Sequence, residues 1–193
     1  MNQPLKVLGI QVSLAKPIDI EGRRVMTGIM KKPVQGPVRV TKLGLEGDEQ
    51  ADPSVHGGLS KAVYAYPVEH YGYWKEQAEN NPHAPDIEYG ILGENLTVSG
   101  LLENELYVGD RLQFHNCTLK ITEPRQPCYK FNAVMNDPQA ARKLATSGYT
   151  GFYLSVVSEG YISPGEAFEL IPGPRSITIS SMSRVGQFKT RND

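Results

Sequence analysis

The sequence predicts a mainly β protein with mixed α/β content, a barrel or folded sheet carrying a few peripheral helices. Short β-rich runs recur between turn residues, 19 glycines and 14 prolines are spread along the 193 residues, and only two segments combine helical spacing with start and stop signals. Strands that follow one another without intervening helices do not build parallel βαβ layers, so a folded or closed sheet is the expectation. The length suits one domain, over residues 1–172, followed by a short C-terminal tail over 173–193.

Leu5 to Val12 and Val38 to Leu43 are β-rich and read as strands. Between them "DIEGRRVMTGIMKKPVQGP" carries turn residues and a cluster of bases, which reads as an irregular basic loop. "GLEGDEQADPSVHGGLSKAVYAYP" starts as a polar, glycine-rich loop and ends in the alternating run Ala62 to Tyr66. A helix is expected from Pro67, because proline is tolerated at the first helical position and Val68, Tyr71 and Ala78 lie near a helical spacing. Asn80, Asn81 and Pro82 stop it. In "DRLQFHNCTLKITEP", Leu112 and Phe114 share a face, and Cys117, Leu119 and Ile121 share a face of the returning strand, which places Cys117 in the core. Asp137 and Pro138 open a second helix that runs through "QAARKLATSG" to Gly148. "YTGFYLSVVSEG" and "EAFELI" supply the last strands.

Twenty basic residues stand against 21 acidic ones. This balance points to neither nucleic acid nor a membrane surface. The apolar runs are too short to cross a bilayer, and the N-terminus lacks the parts of a signal peptide, so a cytoplasmic protein is expected. Two cysteines in a reducing compartment are read as thiols. Neither a Rossmann nor a P-loop phosphate fingerprint is present. His70 and His83 read as surface residues, and His115 as part of a turn.

The segment "TEPRQPCYKF" is chemically unusual. Pro124 and Pro127 hold Glu123 and Gln126 extended and remove backbone donors, which suits an edge or rim rather than the middle of a sheet. Arg125 and Lys130 bracket Cys128, and fixed positive charge nearby favours the thiolate that attacks electrophiles and binds metals. An isolated cysteine is ordinarily structural; the rigid flanks and paired bases favour function here. In "GDEQADPSVHGG", Asp48, Asp52 and His56 are a possible carboxylate–histidine metal set, although such a stretch also arises simply as a turn. Gly57 and Gly58 expose amides ahead of Lys61, a combination able to hold an anion or merely to present a solvated lysine. Thr27, Lys31 and Lys32, behind Arg23 and Arg24, could grip a phosphate or form a solvated basic face. In "GENL", Glu94 and Asn95 offer an acceptor and an amide able to read the edge of a heterocycle, and Glu94 could equally cap a turn.

Taken in order, "TGIMKKPVQGP", "GLEGDEQAD…HGG…KAVYAYPVEHY", "GENLTVSGL", "GDRL", "PRQPCYK" and "GFYLSVVSEG" resemble the MOSC domain, the module named from the C-terminus of molybdenum cofactor sulfurases. The resemblance runs from about Leu5 to Ile171 and is greatest to the stand-alone bacterial YiiM-type members. It implies a MOSC-type β-barrel with a few peripheral helices. It also implies molybdenum cofactor (molybdopterin) binding, with Cys128 as the metal ligand and catalytic residue. Lys31, Lys61 and Arg125 are then implied as phosphate or pterin contacts, while Asp48, His56, Glu94 and Asn95 shape the pocket and hydrogen-bond within it.

The implied reaction is reduction of N-hydroxylated compounds such as hydroxylaminopurines. The chain has no room for the pyridoxal-phosphate desulfurase domain of the sulfurases, and two cysteines exclude an internal Cys₄ iron–sulfur cluster. An electron-donor reductase or a sulfur-transfer partner is therefore expected, with the oligomeric state open. The alternative from a different class is a carrier that holds sulfur or a metal–sulfur unit on Cys128 without turnover. A third, a cysteine hydrolase, needs His56 within hydrogen-bond reach of Cys128.

Overall fold

The computed structural model describes residues 4–51 and 57–183. Among these, the principal elements in chain order are β1 (Lys6–Val12), β2 (Lys16–Ile20), β3 (Arg23–Thr27), β4 (Lys32–Pro33), β5 (Val38–Thr41), β6 (Gly44–Leu45), β7 (Val63–Pro67), α1 (Tyr71–Glu79), β8 (Leu96–Ser99), β9 (Arg111–Gln113), β10 (Thr118–Pro124), α2 (Tyr129–Met135), α3 (Ala140–Ser147), β11 (Phe152–Ser158), β12 (Gly160–Ile162) and β13 (Glu169–Ile171).

Eight strands form one sheet in the order β13-β9-β10-β11-β7-β8-β1-β4; β12-β5-β6 and β2-β3 form smaller sheets. Within the large sheet β7 and β8 pair in parallel, and the other ladders are antiparallel. Its β1 side and its β13 side meet at a seam. Lys6 bridges Ala167, the Val7 amide donates to the Glu166 carbonyl at 2.9 Å, and the Gly165 amide donates to the Val7 carbonyl at 2.7 Å. The architecture is thus mixed α/β, and among the described residues the pairing shows an eight-stranded ladder stitched at one seam rather than a fully paired barrel.

The sequence "VYAYP" explains why β7 sits at the centre. Alternate side chains of a strand face opposite ways. Val63 and Ala65 enter one core with Leu96, Val98, Leu119, Ile121, Phe152 and Leu154. Tyr64 and Tyr66 enter a second, aromatic core with Tyr71, Trp74, Leu92, Phe131 and Leu144 beneath the helices. A strand buried on both faces tolerates no charge, and β7 has none. Cys117 is fully buried in the first core, as expected of that strand face.

Both expected helices form. A 3₁₀ turn over Val68–His70 leads into α1, and α3 ends on Gly148 in the left-handed conformation. Two expectations need correction. The basic stretch after β1 is not an irregular loop but the β2–β3 hairpin, with Ile18 opposite Val25 and a tip in which Glu21 (φ 53°) and Gly22 (φ 77°) both take positive φ. Such a two-residue turn matches the twist of its strands. His70 is not a surface residue: it is buried, with Nε2 at 2.7 Å from Glu103 Oε2 and its ring stacked on Tyr149 at 4.0 Å. Beyond β13 the chain returns to the sheet, where Arg175 donates to Asp110 at 2.9 Å and Ile179 is buried in the first core.

Candidate functional site

A cleft opens where β3, the loop after β6, β7, the segment before β8 and the β10–α2 connection converge. Cys128 lines it, half-buried, as the residue that precedes α2. It is extended (φ −132°, ψ 163°). Pro127 removes an amide just before it, so the chain leaves the β10 ladder and turns into a helix within a few residues. Phe131, Val134 and Met135 carry that helix into the aromatic core.

Lys31, Asp48, Lys61, Asn95 and Arg125 line the same cleft. Segments far apart in sequence thus converge on Cys128. Lys31 forms an ion pair with Asp48 Oδ1, and both side chains are 6% exposed. Asp48 is held from two further directions: Oδ1 accepts the Ser13 amide at 2.8 Å and Oδ2 accepts Asn95 Nδ2 at 2.9 Å. Burial lowers the proton affinity of Lys31 below that of an ordinary lysine, against the opposing pull of Asp48.

Arg125 is buried. It donates to the Leu92 carbonyl, and its guanidinium lies 4.6 Å over the Tyr64 ring. Burial opposes its charge, but the facing Tyr64, Tyr153 and Cys128 outweigh burial and its pKa rises further, so it is a fixed cation beside Cys128. Burial pushes the Tyr64 and Tyr153 hydroxyls above the usual phenol range. Lys61 lies 3.7 Å from Glu123 and over the Tyr153 ring. Lys130, absent from the expected contacts, also lines the cleft and donates to the Met26 carbonyl at 3.0 Å.

Gly93 shows why the turn before β8 needs glycine. Its φ is +80°, and a Cβ there meets Ile29 Cγ1 at 2.8 Å, with Arg125 Nη1 at 3.5 Å. A larger residue at this turn crowds both the Ile29 wall and the guanidinium.

Glu94 is not on the cleft wall. It is fully buried behind it, where one oxygen accepts the Gly90 amide at 2.7 Å, the Thr97 hydroxyl at 3.0 Å and the Tyr71 hydroxyl. Burial raises its pKa above the carboxylate range. Asn95 turns the other way: its amide bridges Asp48 and the Gln11 carbonyl, while its oxygen accepts the Tyr64 amide at 3.0 Å. His56 lies outside the described residues. The sequence reading missed Ser13, Tyr64 and Tyr153; the tyrosines carried the signal of alternation in "VYAYP" and "GFYLSVV", and Ser13 contributes only a backbone amide.

Among the described residues no three His, Cys, Asp or Glu side chains gather as a metal cluster. No helix among them is long and apolar enough to cross a membrane.

The sequence model of the MOSC domain matches residues 52–169. YflK of Bacillus subtilis (strain 168), an uncharacterized protein, is 35% identical over 187 residues, 96% of this chain and 82% of its own. A protein named reductase from Gibberella moniliformis is 32% identical over 155 residues, 79% of this chain but 27% of its own length. The crystal structure of YiiM from Geobacillus stearothermophilus superposes with a TM-score of 0.75 at 32% identity, covering 98% of this chain and 87% of that one. The chain therefore belongs to the MOSC domain family, as a YiiM-type member.

Proposed function

We propose that this protein holds a molybdenum cofactor through the Cys128 thiolate and reduces N-hydroxylated compounds, hydroxylaminopurines among them. The observation that carries the reading is the placement of Cys128: a half-buried thiol in a cleft beside the buried cation Arg125, with Lys61 and Lys130 on the same walls. The donor chemistry fits. A thiolate is a soft ligand suited to molybdenum, and Cys128 does not sit in a cluster of further protein ligands among the described residues. A metal there must bring most of its own ligands, as a pterin dithiolene does.

In this reading Arg125 and Lys61 face the anionic and pterin parts of the cofactor. Asn95 and Asp48 fix polar groups on the wall, and Glu94 braces the turn behind them. When bound, the cofactor supplies the two-electron chemistry that the side chains lack. The cleft orients the substrate and limits water, and Arg125 sets a fixed positive charge beside Cys128. A thiolate ligand requires reduced cysteine, which suits a cytoplasmic protein, and electrons must arrive from a donor reductase. The seam between β1 and β13 makes the sheet barrel-like on this view.

The test is expression in a cofactor-competent host, with molybdenum and pterin measured on wild type and Cys128→Ser. Wild type is expected to carry both and the variant to lose the metal. Equal metal on both proteins removes Cys128 as ligand. A wild type that carries neither, while Cys128 accepts persulfide, replaces the reductase with a sulfur carrier.

A further inference from the structure

In the reductase reading each turnover takes two electrons from a donor and two protons from solvent, and R₂N–OH gives R₂NH and water. The donor must reach the cleft, deliver and leave again within every cycle. Encounters of that kind are small and weak, and they are steered by charge around a modest apolar contact. A surface built for them carries unpaired charges of one sign beside the redox site.

The β2–β3 hairpin has this character. It pairs with no other strand, and from its root the chain runs through Thr27, Gly28 and Ile29 as one wall of the Cys128 cleft. Residues 16–32 carry five bases against two acids, in a chain whose net charge is −1. Lys16, Arg23, Arg24 and Lys32 are exposed, and among the described residues none of them enters an ion pair. Asp19 stands opposite Arg24 in the ladder, yet its carboxylate accepts the Gly22 amide at 3.0 Å instead. Of the two acids on the cleft wall, Asp48 is paired with Lys31 and Glu49 accepts the Ala15 amide.

An apolar rim accompanies the charge. Arg24 and Met26 share the outward face of the hairpin with their ladder partners Asp19 and Pro17, and all four are exposed. Met26 is 50% exposed; Met30, between the lining residues Ile29 and Lys31, is 47% exposed, and Tyr129, between Cys128 and Lys130, is 56% exposed. Lys130 ties hairpin to mouth by donating to the Met26 carbonyl at 3.0 Å. Arg23 and Arg24 themselves stand outside the cleft lining. We propose that this face of the hairpin, with Met30 and Tyr129 at the cleft mouth, is the docking surface of an acidic one-electron carrier protein, an inference that rests on the reductase reading above. The carrier's carboxylates meet Arg23 and Arg24, and the apolar rim excludes water between its redox group and the cleft. It is oxidised by one electron at each of two visits. Exposed ion pairs are weak enough to release it after each.

The experiment supplies cofactor-loaded protein and an N-hydroxy substrate with reduced flavodoxin or reduced plant-type ferredoxin, two acidic one-electron carriers. Reduced methyl viologen serves as a small donor that needs no docking surface. At least one carrier is expected to drive wild-type turnover, at a rate that falls as salt rises from about 50 to 500 mM. Arg23→Glu/Arg24→Glu is expected to lose at least about 10-fold in kcat/KM for that carrier, while keeping its molybdenum and its methyl viologen rate. Lys75→Glu/Arg142→Glu, the same charge change on exposed positions of α1 and α3, is expected to lose little. Independently of turnover, oxidised carrier is expected to shift the Arg24, Met26 and Tyr129 amide resonances of ¹⁵N-labelled wild type. The inference is overturned if methyl viologen drives wild type and neither carrier does, if the hairpin variant matches wild type, or if it loses as much with methyl viologen. Equal loss in the α1/α3 variant, or amide shifts confined to other faces, also overturns it. Duplex DNA retained by wild type and not by the hairpin variant, with carrier kinetics unchanged, gives the patch to nucleic acid instead. Failure of the reductase reading looks different: wild type then carries no molybdenum and methyl viologen drives no reduction, while the amide shifts still report docking.

Discussion

Asn95 locks Asp48 in place from the opposite side to Lys31: its Nδ2 donates to Asp48 Oδ2 at 2.9 Å while its Oδ1 accepts the Tyr64 amide at 3.0 Å. One side chain thereby joins β7, the loop after β6 and, through the Gln11 carbonyl, β1.

Asn95→Ala leaves the buried Tyr64 amide without its acceptor, and each such orphan costs about 1–3 kcal/mol. With the lost bond to Asp48 added, a total of about 2–4 kcal/mol is expected, read as a lower urea midpoint. Asn95→Asp sets a second carboxylate against Asp48, so its loss is expected to be greater at pH 8 than at pH 5.

The two thiols should react in opposite ways. Burial pushes the Cys117 thiol up to about 12, and its side chain is closed inside the first core, whereas Cys128 is half-buried in the cleft. Iodoacetamide on native protein at pH 8 is expected to mark the Cys128 peptide and spare Cys117, with both marked after unfolding, as peptide mass spectrometry reads directly. Preferential modification of Cys117 contradicts the burial described.

Trp74, the one tryptophan, donates from Nε1 to the Tyr66 hydroxyl at 2.7 Å and meets Phe131 of α2 edge-on at 5.2 Å. Tyr66→Phe strands a buried N–H, at an expected cost of about 1–3 kcal/mol. Trp74→Ala opens a cavity beneath α2, at about 3–5 kcal/mol, and is expected to speed Cys128 alkylation because α2 begins next to that residue.

Glu94 gives stability a pH dependence of defined sign. Burial raises its folded pKa above the 4.5 of the free group. Between 4.5 and the folded value the native state holds more protons than the unfolded one, so stability falls as pH rises through that window. Glu94→Gln removes the titration, and its urea midpoint is expected to fall less than that of wild type between pH 4.5 and 8. A wild-type midpoint that rises across the range assigns the opposite sign and contradicts the burial effect.

Local patterns told the fold well where contacts were local. The alternation in "VYAYP" and the apolar face of "CTLKI" appear as read, because period depends on near neighbours, and the second helix ends at Gly148 as read but starts at Ala140 rather than at Asp137 and Pro138. Helix α2 was hidden: Phe131, Val134 and Met135 have helical spacing, but Pro124 and Pro127 dominate the reading of the segment. His70 looked exposed because its burial depends on Glu103 and Tyr149, which only the tertiary fold brings to it. Likewise Lys31 and Lys32 are neighbours in a basic run, yet one is enclosed against Asp48 and the other exposed. Lys31 lies just before β4 and Lys32 begins it; the identity of the buried partner does not follow from sequence.

The seam at Lys6 and Ala167 has a consequence for synthesis. Val7 of β1 donates to the Glu166 carbonyl and accepts the Gly165 amide, and Leu5 just ahead of it accepts the Phe168 amide, so β1 bonds residues made long after it. Its C-terminal end can pair early with β4, but the ladder to β8 also waits for later residues. The nascent chain must therefore carry β1 with its β8 edge and its Lys6–Val7 end unpaired until those later residues are made, which makes β1 the segment on which chaperones and aggregation compete.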